Sequence, residues 1–529
     1  MTDRAGRRSR IYRVRVQRPT PDDEPATHAP ASGEPAPTDT DAAAPASTGP
    51  RSGIDRWFTL TERGSTVGRE VRGGVVTFVT MSYIVVLNPL ILGSFSPTGP
   101  GAKADVLGNV LSVPQVAAAT ALVAGVLTLL MGLVANMPFA LATGLGINAL
   151  VAFTIAPQVS WPEAMGLVVV DGIIIVILVL TGFRTAVFNA VPPALKAAIG
   201  VGIGLFIAFI GLVDAGFVRR LPDAANTTVP VGLGINGSIA SWPTFVFVLG
   251  LLISGALVAL RVRAGILLGI VLTTVVAIVV EAIATVGPSN GTNPKGWNLG
   301  YPGLPGSIFG LPDLSLVGDV SFGAWTRLPA ITATLLVFTL VLANFFDAMG
   351  TMTGLGKQAG LVDKDGKLPN VGRALFVEGT GAVAGGAASV SSNTVFIESA
   401  SGIAEGARTG LANIVTGVLF LAAMFLTPLY AIVPVEAAAP ALVIVGALMM
   451  RQITDIDFTD FRIALPAFLT IIVMPFTYSI ANGIGAGFIS YVFLAAVSGR
   501  AKTVHPLMWV VAVAFVGYFA VGPIEALFR

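Results

Sequence analysis

Two polar stretches interrupt apolar segments of the chain and govern how it folds. The first reads TGLGINA at residues 143–149, and the second reads SSNTVFIES at residues 391–399. Each lies in a segment that is short for a membrane-spanning helix, which needs about 20 residues. Inside a bilayer, extended backbone is tolerated only where the protein or a cavity satisfies its polar groups. The two stretches therefore predict a pair of short, broken membrane helices.

The composition of the chain requires a membrane protein. Of the 529 residues, 54% are hydrophobic and only 11% are charged, whereas a soluble domain carries about 25% charged residues. Apolar segments of spanning length follow one another between residues 72 and 498. The sequence therefore predicts an all-α polytopic membrane protein of the cell membrane.

Charge, cysteine and histidine counts exclude several classes of protein. The 31 basic and 29 acidic residues nearly balance, which argues against nucleic-acid binding. The chain has no cysteine, and its two histidines, His28 and His505, lie outside the central apolar region. We therefore expect no metal site and no cofactor, and the protein is predicted not to be an enzyme of the kinds that depend on cysteine or histidine. Transport, a channel or a membrane enzyme that uses carboxylates remains.

The two halves of the chain have similar series of apolar segments. Seven apolar segments precede a stretch rich in glycine, proline and asparagine, and seven follow it. Because seven is an odd number, the second set of spans lies in the opposite orientation to the first. The sequence therefore predicts 14 transmembrane segments as 7+7 inverted repeats, with short broken helices 3 and 10. The predicted regions are a disordered cytoplasmic tail (1–52), a first repeat with spans 1–7 (53–286), an extracytoplasmic loop (287–327), a second repeat with spans 8–14 (328–498), and a basic loop with an extra apolar segment (499–529).

The placement of lysine and arginine predicts the orientation in the membrane. Basic residues recur in every second loop, for example Arg184, Arg263 and Arg373, and loops of this kind face the cytoplasm. The N-terminus is therefore predicted to be cytoplasmic. The extra apolar segment at 506–527 is either a further span or an interfacial helix.

Ionisable groups within the spans are costly to bury and are usually functional. Asp347 shares a helix face with Asn344 and Thr351, because residues spaced i, i+3 and i+7 line up. This face predicts a carboxylate that points into a site at the membrane midplane. Asp171 and Glu281 also lie in apolar segments, and each is either a proton-relay group or a packing residue.

The two breaks supply the other candidate binding residues. Glu398 follows the second break, which itself contributes Asn393 and Thr394. The N-terminus of a half-helix favours an anionic or acceptor atom, so Glu398 is predicted to lie at the site or to complement the helix dipole. Asn148 holds the matching place in the first half, and its position alone leaves a binding role and a packing role open.

Several longer motifs carry a family resemblance. They are IDRWF (54–58), ERG (62–64), TFVTMSYI (77–84), the stretches 138–149 and 200–211, and above all 347–410 with KDGKLP (364–369) and ESASG (398–402). Together they resemble the adenine–guanine–hypoxanthine permeases of the nucleobase–ascorbate (xanthine/uracil permease) transporter superfamily. The resemblance covers about residues 53–500.

The resemblance implies a core domain of helices 1–4 and 8–11 that moves past a gate domain of helices 5–7 and 12–14. It also implies proton-coupled uptake of purine nucleobases by this elevator-like motion, and a homodimer formed through the gate domains. In the family, residues matching Asn148, Asp347 and Glu398 line the site. The chain departs from the family pattern at Thr143, in the run 391–394 and at Asp171, and the first two departures concern substrate preference.

The chemistry of these residues is consistent with a purine ligand. A carboxylate accepts paired N–H donors, while an amide and backbone groups meet the ring acceptors. Phe346 or Phe396 either stacks on the ring or serves packing. Because burial disfavours a charged carboxylate, Asp347 or Glu398 is predicted to carry the coupled proton.

Three alternatives remain at this stage. The first is a transporter of the same fold for uracil, xanthine or another small heterocycle. The second is a channel, which the broken helices and inverted repeats favour less than alternating access. The third is a membrane enzyme, for which the sequence offers no metal cluster and no activated nucleophile.

Overall fold

The computed structural model describes residues 53–529 except for 95–102, 183–189, 221–230, 236, 291, 299, 305, 363–367, 369 and 528–529. Within helices, the side chains of residues 346–350, 353, 357 and 521–527 are also outside the description. The predicted tail at 1–52 lies outside the described residues. The predicted roles of the Phe346 and Asp347 side chains fall outside it as well.

The first half is mainly helical, with short strands in the connections between its helices. Its helices are α1 (Gly53–Phe58), α2 (Val67–Met81), α3 (Ile84–Leu92), α4 (Val113–Leu130), α5 (Leu145–Leu150), α6 (Trp161–Leu180), α7 (Pro193–Asp214), α8 (Trp242–Ala259) and α9 (Gly265–Ala284). Helices α4 and α5 each continue into a π-helical turn, Met131–Ala135 and Val151–Ile155. Its strands are β1 (Gly93–Ser94), β2 (Leu111–Ser112), β3 (Leu141–Thr143), β4 (Val218–Arg220) and β5 (Val231–Leu233).

The second half is also mainly helical. Its helices are α10 (Ala324–Arg327), α11 (Ala330–Gln358), α12 (Val371–Ala387), α13 (Ser399–Ala404), α14 (Gly410–Ala423), α15 (Thr427–Tyr430), α16 (Val435–Met449), α17 (Phe461–Thr477), α18 (Ile480–Val497) and α19 (Pro506–Leu527). Its strand is β6 (Asn393–Val395). Strand β1 pairs with β2 in parallel, and the pairs β3–β6 and β4–β5 are antiparallel.

The helices suit a membrane in length and composition. Nine helical segments within the described ranges are long and apolar enough to cross a bilayer, and further apolar helices are shorter. Many large apolar side chains on the outside of the bundle are exposed, among them Leu252, Ile283 and Phe476. Such a surface is stable only in contact with lipid, so the chain is a multi-pass membrane protein.

Hydroxyl side chains begin several of the long helices. The Thr66 hydroxyl accepts a hydrogen bond from the Arg69 N–H, and Ser241 caps α8 through the Thr244 N–H. Ser160 and Glu163 form a capping box at the start of α6. The first N–H groups of a helix have no partner within the helix, so these caps fix where each span begins.

The helices pack in two groups. In the first group, α6 packs against α11 and α12, and α14 packs against α2 and α4. In the second group, α7 packs against α16 and α17, α16 packs against α8, and α17 packs against α18. The extra apolar segment forms α19, whose Phe515 ring packs against Phe488 of α18 with a centroid distance of 6.1 Å.

Glycines permit a close helix approach in each group. Gly410 at the start of α14 faces the backbone of Gly132, and Gly446 of α16 faces the carbonyl oxygen of Gly204 in α7. A methyl group at either Gly410 or Gly446 would overlap these backbone atoms. Small residues at helix contacts are a general means of stabilising helix pairs in membranes.

Gly446→Ala should therefore destabilise the protein. Overpacking costs about 1–3 kcal/mol, which exceeds the roughly 0.5–1 kcal/mol gained when alanine replaces glycine within a helix. We expect a lower melting temperature of the detergent-solubilised protein. Gly255→Ala on α8 is the control, because an added Cβ there lies 3.8 Å from its nearest neighbour, the Ile444 Cδ1 atom. Equal melting temperatures of the two variants would contradict the close approach.

Candidate functional site

The two polar stretches meet in the interior of the protein. Strand β3 pairs with β6 in an antiparallel register that places Thr143 opposite Asn393 and Ala142 opposite Thr394. The Gly144 N–H donates to the Ser392 carbonyl at 2.9 Å and extends the pairing. Each strand then leads into a short helix, α5 or α13. The pairing satisfies backbone groups that would otherwise be exposed to lipid.

Six buried polar side-chain atoms around this strand pair have no hydrogen-bond partner within the part of the chain that the structure describes. They are Thr143 Oγ1, Asn148 Oδ1, Asn344 Oδ1, Ser391 Oγ, Asn393 Oδ1 and Thr394 Oγ1. A buried polar group without a partner costs about 1–3 kcal/mol. Their concentration in one place is typical of a site that a polar ligand completes.

Asn148 is held by a hydrogen bond to another residue of the first half of the chain. It is fully buried on α5, and its Nδ2 donates to the Asn88 Oδ1 atom at 2.6 Å. Asn88 lies on α3 within span 1 and is itself fully buried. Asn88 is not among the residues predicted from the sequence, although a lone asparagine before Pro89 in an apolar span is a usable signal.

Glu398 is held by the junction of α2 and α3. It lies directly before α13 and is partly buried, and its Oε1 accepts a hydrogen bond from the Tyr83 hydroxyl at 2.5 Å. Tyr83 is buried in the interior. In the sequence, Tyr83 stands out only as part of a family motif, because a tyrosine in an apolar span is typical of a packing residue.

Asn344 ties α11 and α6 to the second break. Its Nδ2 donates to the Ser392 Oγ atom at 2.9 Å and to the Asp171 Oδ2 atom at 3.2 Å. Asp171 is fully buried, so this carboxylate, for which the sequence left a proton-relay role and a packing role open, borders the site. Asp347 lies one turn beyond Asn344 on the backbone of α11.

The remaining residues of the second break are buried. Asn393 is fully buried, and its Nδ2 donates to the Ser391 carbonyl at 3.4 Å. Phe396 is also buried and lies at the end of β6, where its backbone N–H donates to the Ala140 carbonyl at 3.0 Å. Asn393, Thr394 and Phe396 therefore belong to the same compact region as Asn148.

Glu281 is engaged elsewhere in the molecule. Its Oε2 accepts from Trp297 Nε1, and its Oε1 accepts from the Tyr301 hydroxyl, both at 2.7 Å. These contacts anchor the loop after α9 at the end of that helix. Of the two roles that the sequence left open for Glu281, this arrangement favours the packing role.

A buried cation lies apart from the strand pair. Lys103 follows β1, and its Nζ donates to the Leu90 carbonyl at 2.5 Å and lies 3.9 Å from Asp214 Oδ2 at the end of α7. Burial lowers the pKa of Lys103, and the nearby Asp214 carboxylate acts in the opposite direction. This ion pair connects the first helix group with the second.

The site presents more acceptors than donors from its side chains. Glu398 contributes a carboxylate, three asparagines contribute amide oxygens, and hydroxyls can act in either direction. The backbone N–H groups at the start of α5 are the complementary donors, whereas those of Ser399, Ala400 and Ser401 at the start of α13 already donate to backbone carbonyls. Such a site matches a small neutral molecule with N–H donors and with ring or carbonyl acceptors.

Membrane-spanning helices around two paired breaks with buried polar atoms between them are typical of a multi-pass membrane transporter. The chain belongs to the Permease family (Xan_ur_permease), whose model matches residues 68–486.

Individual relatives agree with this assignment over nearly their whole length. The guanine/hypoxanthine permease PbuG of Bacillus subtilis is 39% identical over 471 residues, which are 88% of this chain and 98% of that protein. The adenine permease AdeQ of Escherichia coli is 36% identical over 468 residues, which are 87% and 95%. The resemblance to purine permeases noted in the sequence is therefore confirmed.

A solved structure shares the fold. The transmembrane domain of the cyanobacterial bicarbonate transporter BicA superposes with a TM-score of 0.54 and covers 79% of this chain and 96% of that domain. Sequence identity is 14%, so this likeness concerns the architecture and not the substrate.

Proposed function

We propose that the protein takes up purine nucleobases across the cell membrane in symport with protons. The observation that carries the proposal is the cluster of unpartnered polar atoms at the β3–β6 pair, which lies beside Asn148 and Glu398. Relatives with 36–39% identity are named for adenine, guanine and hypoxanthine. A purine supplies donors and acceptors along two edges of one flat ring, as this cluster requires.

The proposed binding mode follows from the chemistry of the side chains. Glu398 and Asn148 accept N–H donors of the base, and the N–H groups at the start of α5 donate to ring nitrogens or carbonyls. Asn393 and Thr394 complete the second break. Asp347 is the proposed second carboxylate, and Phe346 or Phe396 is the proposed face for ring stacking.

We further propose that the chain forms 14 spans as 7+7 inverted repeats with a cytoplasmic N-terminus. Within the described ranges, nine helical segments are long and apolar enough to span, and α5, α11, α17 and α19 are shorter apolar helices. With α12 and α13 counted as spans and α19 set apart as the extra segment, the total is fourteen and suits two sets of seven. The first helix group corresponds to the proposed core domain and the second to the proposed gate domain. The site belongs almost wholly to the first group.

Elevator-like motion would carry the site past the second group. Among the residues that the structure describes, two ion pairs connect the groups and would have to break during that motion. Lys103 pairs with Asp214 on one side, and Arg263, in the loop between α8 and α9, pairs with Glu405 at the end of α13. Glu405 also pairs with Arg72 of α2 at 2.9 Å, and this second contact lies within the first group.

Substrate and coupling can be tested by uptake. Radiolabelled adenine, guanine, hypoxanthine, xanthine and uracil would be offered to cells that lack their own nucleobase carriers, with and without a protonophore. We expect saturable purine uptake that the protonophore abolishes. Uptake of uracil or xanthine alone would replace the purine assignment, and non-saturable flux would indicate a channel. Purine uptake that persists with the protonophore would reject proton coupling.

Removing the coupling carboxylate should remove the pH dependence of uptake. We expect Asp347→Asn or Glu398→Gln to lose the rise of initial uptake rate at acidic external pH, because a neutral amide cannot take up the proton. Exchange of base between the two sides should persist in that variant, because exchange needs no net proton movement. Glu281→Gln is the matched control and should keep the wild-type pH profile. An unchanged profile in both site variants would exclude them as the coupling groups.

Motion between the helix groups can be tested with introduced cysteines, since the chain has none of its own. Cross-linking R263C/E405C with a cleavable reagent should block uptake, and cleavage should restore it. R72C/E405C shares one cysteine and joins residues of the same group, so its cross-linked form should still transport. Full activity of cross-linked R263C/E405C would contradict relative movement at this contact.

A further inference from the structure

A chain of hydrogen bonds runs from a helix backbone to the candidate site. The Thr120 hydroxyl donates to the Val116 carbonyl at 2.6 Å, and Asn88 Nδ2 donates to Thr120 Oγ1 at 2.8 Å. Asn148 Nδ2 then donates to Asn88 Oδ1 at 2.6 Å. Thr120, Asn88 and Asn148 are all fully buried, so water does not compete with these bonds.

The donor and the acceptor of each hydrogen bond in this series follow from the chemistry of the Val116 carbonyl. The Val116 carbonyl can only accept, so it takes the single hydroxyl proton of Thr120. The Thr120 oxygen can then only accept, and Asn88 must turn its NH2 group toward it. The Val390 carbonyl also faces Asn88 Nδ2 at 3.4 Å. A flipped Asn88 would place its oxygen against that carbonyl.

The orientation of the Asn148 amide follows from that of Asn88. Because Asn88 presents its oxygen, Asn148 must present its NH2 group to Asn88. The Oδ1 atom of Asn148 is left buried and without a partner in the described part of the structure. The amide can therefore act toward a ligand only as an acceptor, although asparagine in general can be a donor or an acceptor.

We propose that Asn88 and Thr120 are positioning residues that orient the Asn148 amide so that its oxygen can only accept a hydrogen bond from a ligand. This edge of the site then selects bases that present an N–H donor to the Asn148 oxygen. The inference rests on the proposed purine function and deepens it. A base that presents a bare ring nitrogen or a C–H at this point leaves the buried oxygen unpaired. Rejection of a ligand that cannot pair with a buried polar group is a strong source of specificity.

The test uses deaza analogues of guanine and hypoxanthine, in which a C–H replaces one ring nitrogen with little change in size, and analogues that lack an exocyclic amino group. Inhibition constants against uptake of the parent base give a discrimination ratio for each analogue. In the wild type, the analogue that lacks the contacting N–H should bind about tenfold or more weakly. If no analogue binds the wild type at least about tenfold more weakly than the parent base does, the proposal is overturned.

The variants separate orientation from simple packing. Asn88→Ala frees the Asn148 amide to rotate, and Thr120→Val removes the acceptor that orients Asn88 while keeping the side-chain volume. Both should lower the discrimination ratio toward one. A packing role would weaken parent and analogue alike and leave the ratio unchanged, which would overturn the proposal. Thr274→Val on α9 is the control, because Thr274 is also buried and donates to the carbonyl four residues before it at 2.8 Å.

A second measurement needs no substrate. The melting temperatures of Asn88→Ala, Thr120→Val and the double variant form a cycle, and the coupled chain predicts that the shifts are not additive. Additive shifts would overturn the hydrogen-bond chain itself. If the wild type took up no purine while the cycle showed coupling, the proposed function would fail and the hydrogen bond between Asn88 and Thr120 would stand. Purine uptake with an unchanged discrimination ratio in the variants would support the proposed function and reject the positioning role of Asn88 and Thr120.

Discussion

Backbone hydrogen bonding between β3 and β6 is the constraint on which the rest of the structure depends. Extended segments within a bilayer cannot leave their polar groups unpaired, and here each break provides the partner of the other. This pairing allows α5 and α13 to begin inside the protein and not at its surface. It therefore brings residues that are far apart in the chain, such as Asn148 and Asn393, into one polar region.

The long helices around the strand pair fix its side chains. Asn88 of α3 holds Asn148, Tyr83 holds Glu398, and Asn344 of α11 holds Ser392 together with Asp171. Each short helix is thus attached to a long one by a buried polar contact. A site built in this way can move with its helix group as a unit, because its geometry depends little on the neighbouring group.

Sequence reasoning could predict the class, the family and the presence of two breaks, because composition, segment length and motifs reside in local stretches. It identified Asn148 and Glu398 from their places beside those breaks. It could not predict the register that sets Thr143 opposite Asn393, since strand pairing across distant segments leaves no local pattern. It also passed over Asn88 and Tyr83, because their importance arises only from the partners that the fold supplies.

The separation of β3 and β6 along the chain has a consequence for biosynthesis. When β3 enters the membrane, its partner strand has not yet been translated, because nearly half of the chain lies between them. The first half of the chain must therefore wait in the bilayer with an unpaired, extended segment, shielded by its own helices or by the insertion machinery. Completion of the polar interior is a late event that requires both halves.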